Sequence, residues 1–449
     1  MIGRDKLAEL LLPLLGSGGA DGIEAVVISF DGGLTRFANN TIHQNVATEN
    51  AEISFRVDKG GRIGVAGTND LTADGLRSCL DGALQIADLL PPTPDWPGLP
   101  DPQAVEPLDT FDDSLAALDP AGRADRVKEA IAVASGAGQV TAGALKTGIT
   151  EVAVFNSKGV QQYQPLTAAS LTIVTQDGDG SGYSSDASRR LEDIDMRSSA
   201  EKASRKAASS KNPRGLEPGT YDVLLEEEAV AGAVEWLNYI GFGSRSFEEQ
   251  TSFLVDRQNE QIAGRQISIC DDGRHKGTMP MPFDFEGMPK RRVALIEKGV
   301  AGGPVHCTLS AVRAGAAGTG HALPPEEMSE GALPLNLVID AGPDDPAGML
   351  KHLERGILVT RFHYINGYLD TRNAMLTGLT RDGTFWVENG EIQYPLKQLR
   401  FTQNFLQAFS NVSALGSARS TITSWWGDLG AILAPSMVIR GFNITGMTG

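Results

Sequence analysis

Near the start of the chain, Leu7, Leu10, Leu11 and Leu14 fall at i, i+3, i+4 and i+7, the spacing of an amphipathic helix that docks on a core. The run from Glu24 to Phe30 then reads as a strand, Asp31-Gly32-Gly33 as its turn and Leu34 to Ala38 as the returning strand. A third strand, Ala51 to Asp58, leads through Lys59-Gly60-Gly61 into a fourth, Arg62 to Ala66, and Leu71 to Leu90 has helical spacing. Much the same order returns later: strand Glu151 to Phe155, turn Asn156 to Gly159, strands Val160 to Tyr163 and Leu171 to Thr175, turn Asp177 to Gly180, and a helical stretch from Ala187 to Ser210. Gly64 to Asp70 and Gly180 to Asp186 each close a sheet segment and end in an aspartate placed to cap the following helix. The pattern predicts an internal duplication over about residues 20–90 and 150–210.

Between the halves, Pro91 to Pro97 and further prolines to Pro107 exclude continuous helix or central strand and predict a surface connection, after which 119–147 resumes helical spacing. Asn212 to Gly219 carries two prolines and two glycines, which places the main junction there, with an N-terminal α/β domain over 1–212 and a β-rich domain over 213–449. The second half offers short strand-like runs: Tyr221 to Leu225, Gln266 to Ile269, Arg292 to Glu297, Leu335 to Ile339, Gly356 to Ile365, Ala374 to Thr380, Thr384 to Val387 and Glu391 to Pro395. One helix, Glu227 to Ile240, interrupts them, and Glu388-Asn389-Gly390 is a hairpin signal. Segregated strands and helices predict an α+β protein rather than a doubly wound sheet.

The chain has 449 residues, enough for two or three domains at roughly 100–200 residues each. Acidic residues outnumber basic ones by 56 to 39, for a net charge of −17, so the long-range field repels phosphate backbones and anionic lipid, and neither nucleic acid nor membrane is expected as a direct partner. Cys79, Cys270 and Cys307 are odd in number and widely spaced, which gives neither a disulfide framework nor a CxxC site and fits a reducing compartment. Arg4 and Lys6, Leu7 to Leu15 and Gly16 to Ala20 imitate a secretory signal, but Glu9 and Pro13 interrupt the apolar stretch, so a cytoplasmic location is expected.

Phosphate-loop (GxxxxGK[ST]), nucleophile-elbow (GxSxG) and HExxH motifs are missing from the sequence. The six histidines lack ligand spacing; His306, Cys307, His321 and His363 are the set that convergence in space would have to assemble into a metal site. Ala314 to His321 reads as a flexible or tightly packed loop, Glu226-Glu227-Glu228 as acids stabilising the first turn of a helix, and Asp271-Asp272-Gly273 as turn chemistry.

Three segments are more distinctive: Arg36-Phe37-Ala38-Asn39-Asn40-Thr41-Ile42-His43-Gln44, Tyr221 to Leu254, and Leu376 to Ile392 with its Asp382-Gly383-Thr384-Phe385-Trp386 centre. Together they resemble the TldD/PmbA family, over nearly the whole chain. The resemblance implies a duplicated α/β N-terminal domain followed by a barrel-like β domain. It also implies kinship with an intracellular zinc metallopeptidase whose TldD type carries HExxxH on a helix and a cysteine ligand near the C-terminus, and whose sister, the TldE (PmbA) type, lacks the motif. Here Val234-Glu235-Trp236-Leu237-Asn238-Tyr239 falls where HExxxH would lie: glutamate remains and both histidines are gone. Valine has no donor atom and a phenol is a poor neutral ligand for Zn²⁺. Val230, Ala233, Val234 and Leu237 form an apolar stripe, with Glu235 off it, and Trp425 to Gly430, where the cysteine ligand would fall, contains none.

The resemblance therefore implies a catalytically silent TldE-like subunit with no cofactor of its own, assembling with a zinc-bearing TldD-like partner into a cytosolic peptidase for small or unfolded polypeptides. Trp236, Tyr239, Trp425 and Trp426 are expected as interface or peptide contacts, with ordinary core packing as the competing role for each. Two other readings remain: a hydrolase with a metal site built from His306, Cys307, His321 and His363, and a stand-alone peptide-binding homodimer. The family's older label, modulator of DNA gyrase, implies a DNA-linked role, against which the acidic balance argues.

Overall fold

The computed structural model describes residues 1–16 and 18–447; Ser17, within the signal-like stretch weighed above, and Thr448 and Gly449 lie outside the described residues. The first unit contains α1 (Arg4–Leu15), β1 (Gly22–Ala38), β2 (Thr41–Lys59), β3 (Arg62–Thr68), α2 (Ala73–Leu89), α3 (Asp113–Ala116), α4 (Pro120–Gly136), β4 (Val140–Asn156), β5 (Gln161–Asp177), β6 (Gly180–Ser188) and α5 (Met196–Ser209). Its sheet has the order β3-β2-β1-β4-β5-β6 with every pairing antiparallel. The succession helix, three strands, helix thus occurs twice, the two triplets meeting at the β1–β4 pair.

Several local expectations change. Asp31-Gly32-Gly33 is no turn: β1 runs straight through it, paired on one side with β2 and on the other with β4. The glycines are there for space, since a Cβ on Gly32 would lie 2.3 Å from the Thr147 carbonyl and one on Gly33 2.1 Å from the Arg123 guanidinium. The reversal comes at Asn39 and Asn40, whose φ values of 50° and 58° suit a tight hairpin. The strand ending at Ser188 delays the expected Ala187–Ser210 helix to Met196, and Val140 already begins β4 where helical spacing was read on to 147. Neither predicted aspartate cap is one: Asp186 pairs within β6, and α5 is capped by Asp195, which accepts the Ser198 N–H at 2.9 Å. Asp70 receives the Thr72 N–H at 2.9 Å, and Thr72 caps α2.

The sheet is buried on both faces. Ile23, Ala25, Val27, Ile53, Phe55, Val57, Ala153 and Phe155 point toward α1 and α2, while the alternate residues Val26, Val152 and Val154 pack on Met281, Phe283, Phe285, Leu333 and Leu335 of the second unit. The two triplets share a further device. Gly64 in β3 and Gly182 in β6 let the strand touch the helix backbone: an added Cβ would come 2.0 Å from the Ala83 carbonyl of α2 and 2.1 Å from the Ala203 carbonyl of α5.

The second unit comprises β7 (Gly219–Leu225), α6 (Glu227–Leu237), α7 (Ser244–Glu248), β8 (Ile269–Asp271), β9 (Val293–Glu297), β10 (Val300–Ala301), α8 (Thr308–Ala314), β11 (Asn336–Ile339), β12 (Arg355–Asp370), β13 (Met375–Glu388), β14 (Glu391–Pro395), β15 (Leu399–Asn404), α9 (Phe405–Ser410), β16 (Val412–Ser424) and β17 (Gly427–Met447). Five strands, β7-β12-β13-β15-β17, close into a ring because β17 also pairs with β7; β8 to β11, β14 and β16 extend the sheet outside it. The barrel-like expectation thus narrows to a mixed sheet that is ring-like in part. The expected strands Ala374–Thr380 and Thr384–Val387 are one strand, β13, and apolar alternation did not outline β15 and β17, which complete the ring, or β16, which pairs with β17 outside it. Asn389 and Gly390, with φ of 52° and 76°, make the β13–β14 hairpin as expected.

Gly64→Ala and Gly182→Ala should each lower unfolding free energy by about 1–3 kcal/mol, the usual cost of forcing atoms into a filled contact. Gly136→Ala, at a site with nothing within 4 Å, should leave it unchanged or raise it. Urea unfolding of the three variants checks this; equal stability of Gly64→Ala and the parent would refute the close strand–helix contact.

Candidate functional site

Helix α6 carries the chemistry that the sequence singles out. Its apolar stripe is as expected: Val230, Ala233, Val234 and Leu237 are wholly buried, in one core with Val223 of β7, Ile357 and Val359 of β12, Leu376 of β13 and Phe401 of β15. The three acids at its start do more than favour the helix dipole. Glu226 forms an ion pair with the Lys206 ammonium and Glu228 takes the Ser185 hydroxyl, so both fasten α6 to the first unit. Lys206 also reaches Thr360 Oγ1 at 2.9 Å.

Glu235 lies off the stripe yet is buried, 5% exposed, because the β16–β17 connection closes against it. The Trp425 N–H donates to Glu235 Oε1 at 3.3 Å. Burial pushes the Glu235 carboxyl up to about 7, against the smaller opposing effect of that N–H. Around it stands a cluster of rings: Trp236 meets Trp425 at 5.2 Å and Tyr368 at 5.7 Å between centroids, and Tyr239 meets Trp425 at 5.7 Å, all edge to face or nearly so. Trp425 and Tyr368 remain 57% and 60% exposed, so the cluster is an open surface rather than a sealed core. Trp426 turns the other way and packs with Phe283 and Leu335 at the seam between units.

Beside the rings lies a cavity of about 250 Å³ bounded by Tyr239, Tyr368, Arg245, Glu249, Thr251 and Glu330. Arg245 spans it, 2.9 Å from Glu249 and 2.8 Å from Glu330. Hydrogen bonding with Tyr368, then burial, pushes the Tyr239 phenol up to about 12, so it stays a protonated donor, 3.4 Å from Glu330 Oε2. The arrangement offers aromatic faces, a paired guanidinium and a protonatable buried acid. Among the described residues it brings Glu235 into no group of three or more His, Cys, Asp and Glu side chains that could hold a metal. Tyr368, Arg245 and Glu330 were not legible as site residues, since no local pattern in β12 or in the 325–330 turn distinguishes them.

The second sequence-derived set divides. His306, Cys307 and His321 come together through Thr319, whose hydroxyl accepts the His306 N–H at 2.7 Å and lies 2.9 Å from His321 Nδ1. His363 belongs to β12, its ring tilted against Tyr364 at 4.3 Å between centroids, with Arg361 and Arg381 as charged neighbours. Among the described residues no group of three or more His, Cys, Asp and Glu side chains could hold a metal ion. Asp271 is not turn chemistry, as read above, but a fully buried carboxylate that binds His321 Nε2 at 2.8 Å and the N–H groups of Leu335 and Asn336 at 2.9 and 2.7 Å. Burial would raise Asp271, yet His321 and these donors hold it below its usual range. Burial lowers His321, leaving a neutral ring that donates to Asp271. Burial pushes the Cys307 thiol up, away from reactivity.

Comparison with known proteins places this geometry. Models of PmbA/TldA metallopeptidase domain 1, the central domain and the C-terminal domain match residues 24–87, 95–211 and 218–446. The metalloprotease PmbA of Escherichia coli O157:H7 is 26% identical over 442 residues, 95% of this chain and 94% of that protein. A metalloprotease PmbA homolog of Haemophilus influenzae is 26% identical over 416 residues, 88% of this chain and 86% of its own. The crystal structure of TldE from Thermococcus kodakarensis shares the fold with a TM-score of 0.85 at 21% identity, covering 95% of this chain and 97% of that one.

Burial makes Glu235 a weaker acid in the folded chain than in the unfolded one. In the unfolded chain its carboxyl ionises near 4.5, in the folded one near 7, so the folded state binds the extra proton between those values. The cost is absent below about pH 4.5, grows through that window and is complete above about pH 7, where it reaches up to about 3 kcal/mol. Glu235→Gln, which keeps an acceptor for Trp425, should melt higher than the parent at pH 8 and nearly level with it at pH 4.5. A melting difference that does not change with pH would exclude a buried, near-neutral acid here.

Proposed function

The chain belongs to the PmbA/TldD metallopeptidase family, and we propose that within it this polypeptide is a TldE-like subunit, not catalytic itself, that pairs in the cytoplasm with a TldD-like, zinc-bearing partner to degrade small or unfolded peptides. The observation that carries the proposal is the donor set at the HExxxH position. Val234 is wholly inside the core, Tyr239 offers a phenol held protonated, and Glu235 stands alone at this position as a buried acid pushed up to about 7, with a backbone donor from Trp425. Zinc takes imidazole, thiolate or ionised carboxylate ligands, so these residues do not fit it. Without metal-bound water, Glu235 has no proton to remove from a nucleophile.

In this reading the residues bind and position rather than react. Trp236, Tyr239, Tyr368 and Trp425 supply rigid aromatic area at little entropic cost, a composition typical of residues that dominate binding energy. Arg245 and Glu330 give the adjoining cavity polar walls suited to peptide amides. The β-rich unit can close a chamber around a partner's zinc site and offer strand edges to an extended peptide, which accounts for breadth of substrate. The acidic balance speaks against direct DNA contact as the basis of any gyrase-linked role, and three free cysteines accord with a reducing compartment.

Expression of the chain with and without a TldD-like partner tests the proposal by hydrolysis of casein or short peptides, with a chelator as control. Activity should appear only in the mixture and vanish with chelator. In the mixture, Trp425→Ala or Tyr368→Ala should weaken pairing or peptide capture about tenfold or more. Stoichiometric zinc and chelator-sensitive hydrolysis in the chain purified alone would overturn the silent-subunit reading.

A further inference from the structure

Far from α6, the first sheet holds a buried cation that forms no ion pair among the described residues. Arg123, in the first turn of α4, is 3% exposed. Its guanidinium meets neutral acceptors at long range: the Leu118 carbonyl at 3.2 Å, the Thr147 hydroxyl at 3.4 Å and the Val46 carbonyl at 3.5 Å. Its Nε has no hydrogen-bond partner among the described residues. Asp119, the carboxylate whose charge acts on it, is committed to capping α4 through the Gly122 N–H at 2.7 Å. A buried charge is ordinarily paired, as Arg56 is by Glu24 and Glu286 in the same sheet. A cation at a helix N-terminus also works against the macrodipole, and the acid that offsets it in α4 is the Asp119 cap alone.

The strands are thinned to admit this side chain. Gly33 would place a Cβ 2.1 Å from the guanidinium, and Gly32 and Gly148 face each other across the β1–β4 pair. Over them lies a cavity of about 150 Å³, bounded by Asp31, Gly32, Ala47, Arg123, Thr147 and Gly148.

We propose that Arg123 and the Thr147 hydroxyl form a binding subsite for a small oxyanion, a carboxylate or a phosphate. The guanidinium supplies paired N–H donors and the hydroxyl one more. Asp31 on the wall repels negative charge, so a singly charged anion is favoured over a doubly charged one. The net charge of −17 does not forbid this, because charges beyond the Debye length of about 8 Å are largely screened at physiological salt. The subsite is independent of the subunit role proposed above.

The full chain is titrated with sodium acetate, sodium phosphate or sodium chloride at matched ionic strength, with calorimetry and melting temperature as readouts. Acetate or phosphate should bind saturably beyond chloride, and which of the two does so identifies the anion. Arg123→Gln should weaken that binding about tenfold or more, Thr147→Val should weaken it less, and Asp31→Asn should tighten it about two- to fivefold. An adventitious ion only, meaning non-saturable effects equal to those of chloride, overturns the proposal, as does full affinity in Arg123→Gln. Should that variant fail to fold, unchanged affinity in Asp31→Asn overturns it instead.

Discussion

Arg56 is held between two carboxylates at the seam of the molecule, and the relation of the two units follows from that. Glu24 stands opposite it on β1, 2.7 Å away, and Glu286 reaches it from the second unit at 3.4 Å, all three side chains being buried. Glu286 in turn accepts the Thr308 N–H at 2.9 Å. Burial pushes Glu24 up to about 7 even with Arg56 beside it, so the desolvation of this cluster is costly. Such a group contributes less to stability than to specificity of arrangement, because loss of any one partner strands a buried charge. The apolar contacts around it, Val26 and Val154 on Phe283 and Phe285, keep water away and supply most of the attraction.

That seam leads directly to the α6 site. The segment that covers the sheet ends in Leu333 and Leu335, and Tyr239 and Trp426 pack against the same cluster. Glu330, three residues before Leu333, therefore arrives beside Tyr239 and Arg245 as a result of how the units dock. On the opposite side, Lys206 and Ser185 of the first unit hold the two acids that begin α6. The helix is thus fixed at its start by residues of the first unit and beyond its end by the 330–335 segment of its own unit, and its ring-bearing face is presented at a set angle.

Part of this was legible from local pattern. The stripe Val230, Ala233, Val234, Leu237 specified which face of α6 goes inside, and the family resemblance rested on segments whose residues the structure keeps in strands and helices. Asn389-Gly390 specified its hairpin because few residues accept two successive positive φ values. Elsewhere the same reasoning misled. Asp31-Gly32-Gly33 carries turn composition but lies mid-strand, since glycine serves equally to reverse a chain and to make room for Arg123. Asp271 sits in an Asp-Asp-Gly sequence and yet is the buried acceptor for His321, because β11 and the 321 segment bring donors to it from more than fifty residues away.

The identity and spacing of near neighbours were enough to give the family, the α+β class and the faces of the amphipathic elements. Only the folded arrangement set Glu235 beneath Trp425, put Trp236, Tyr239, Tyr368 and Trp425 on one surface, and left Arg123 with no ion pair among the described residues. Periodicity reports which side of an element avoids water; which distant element covers that side, and what charge it brings, is set only when the chain has closed on itself.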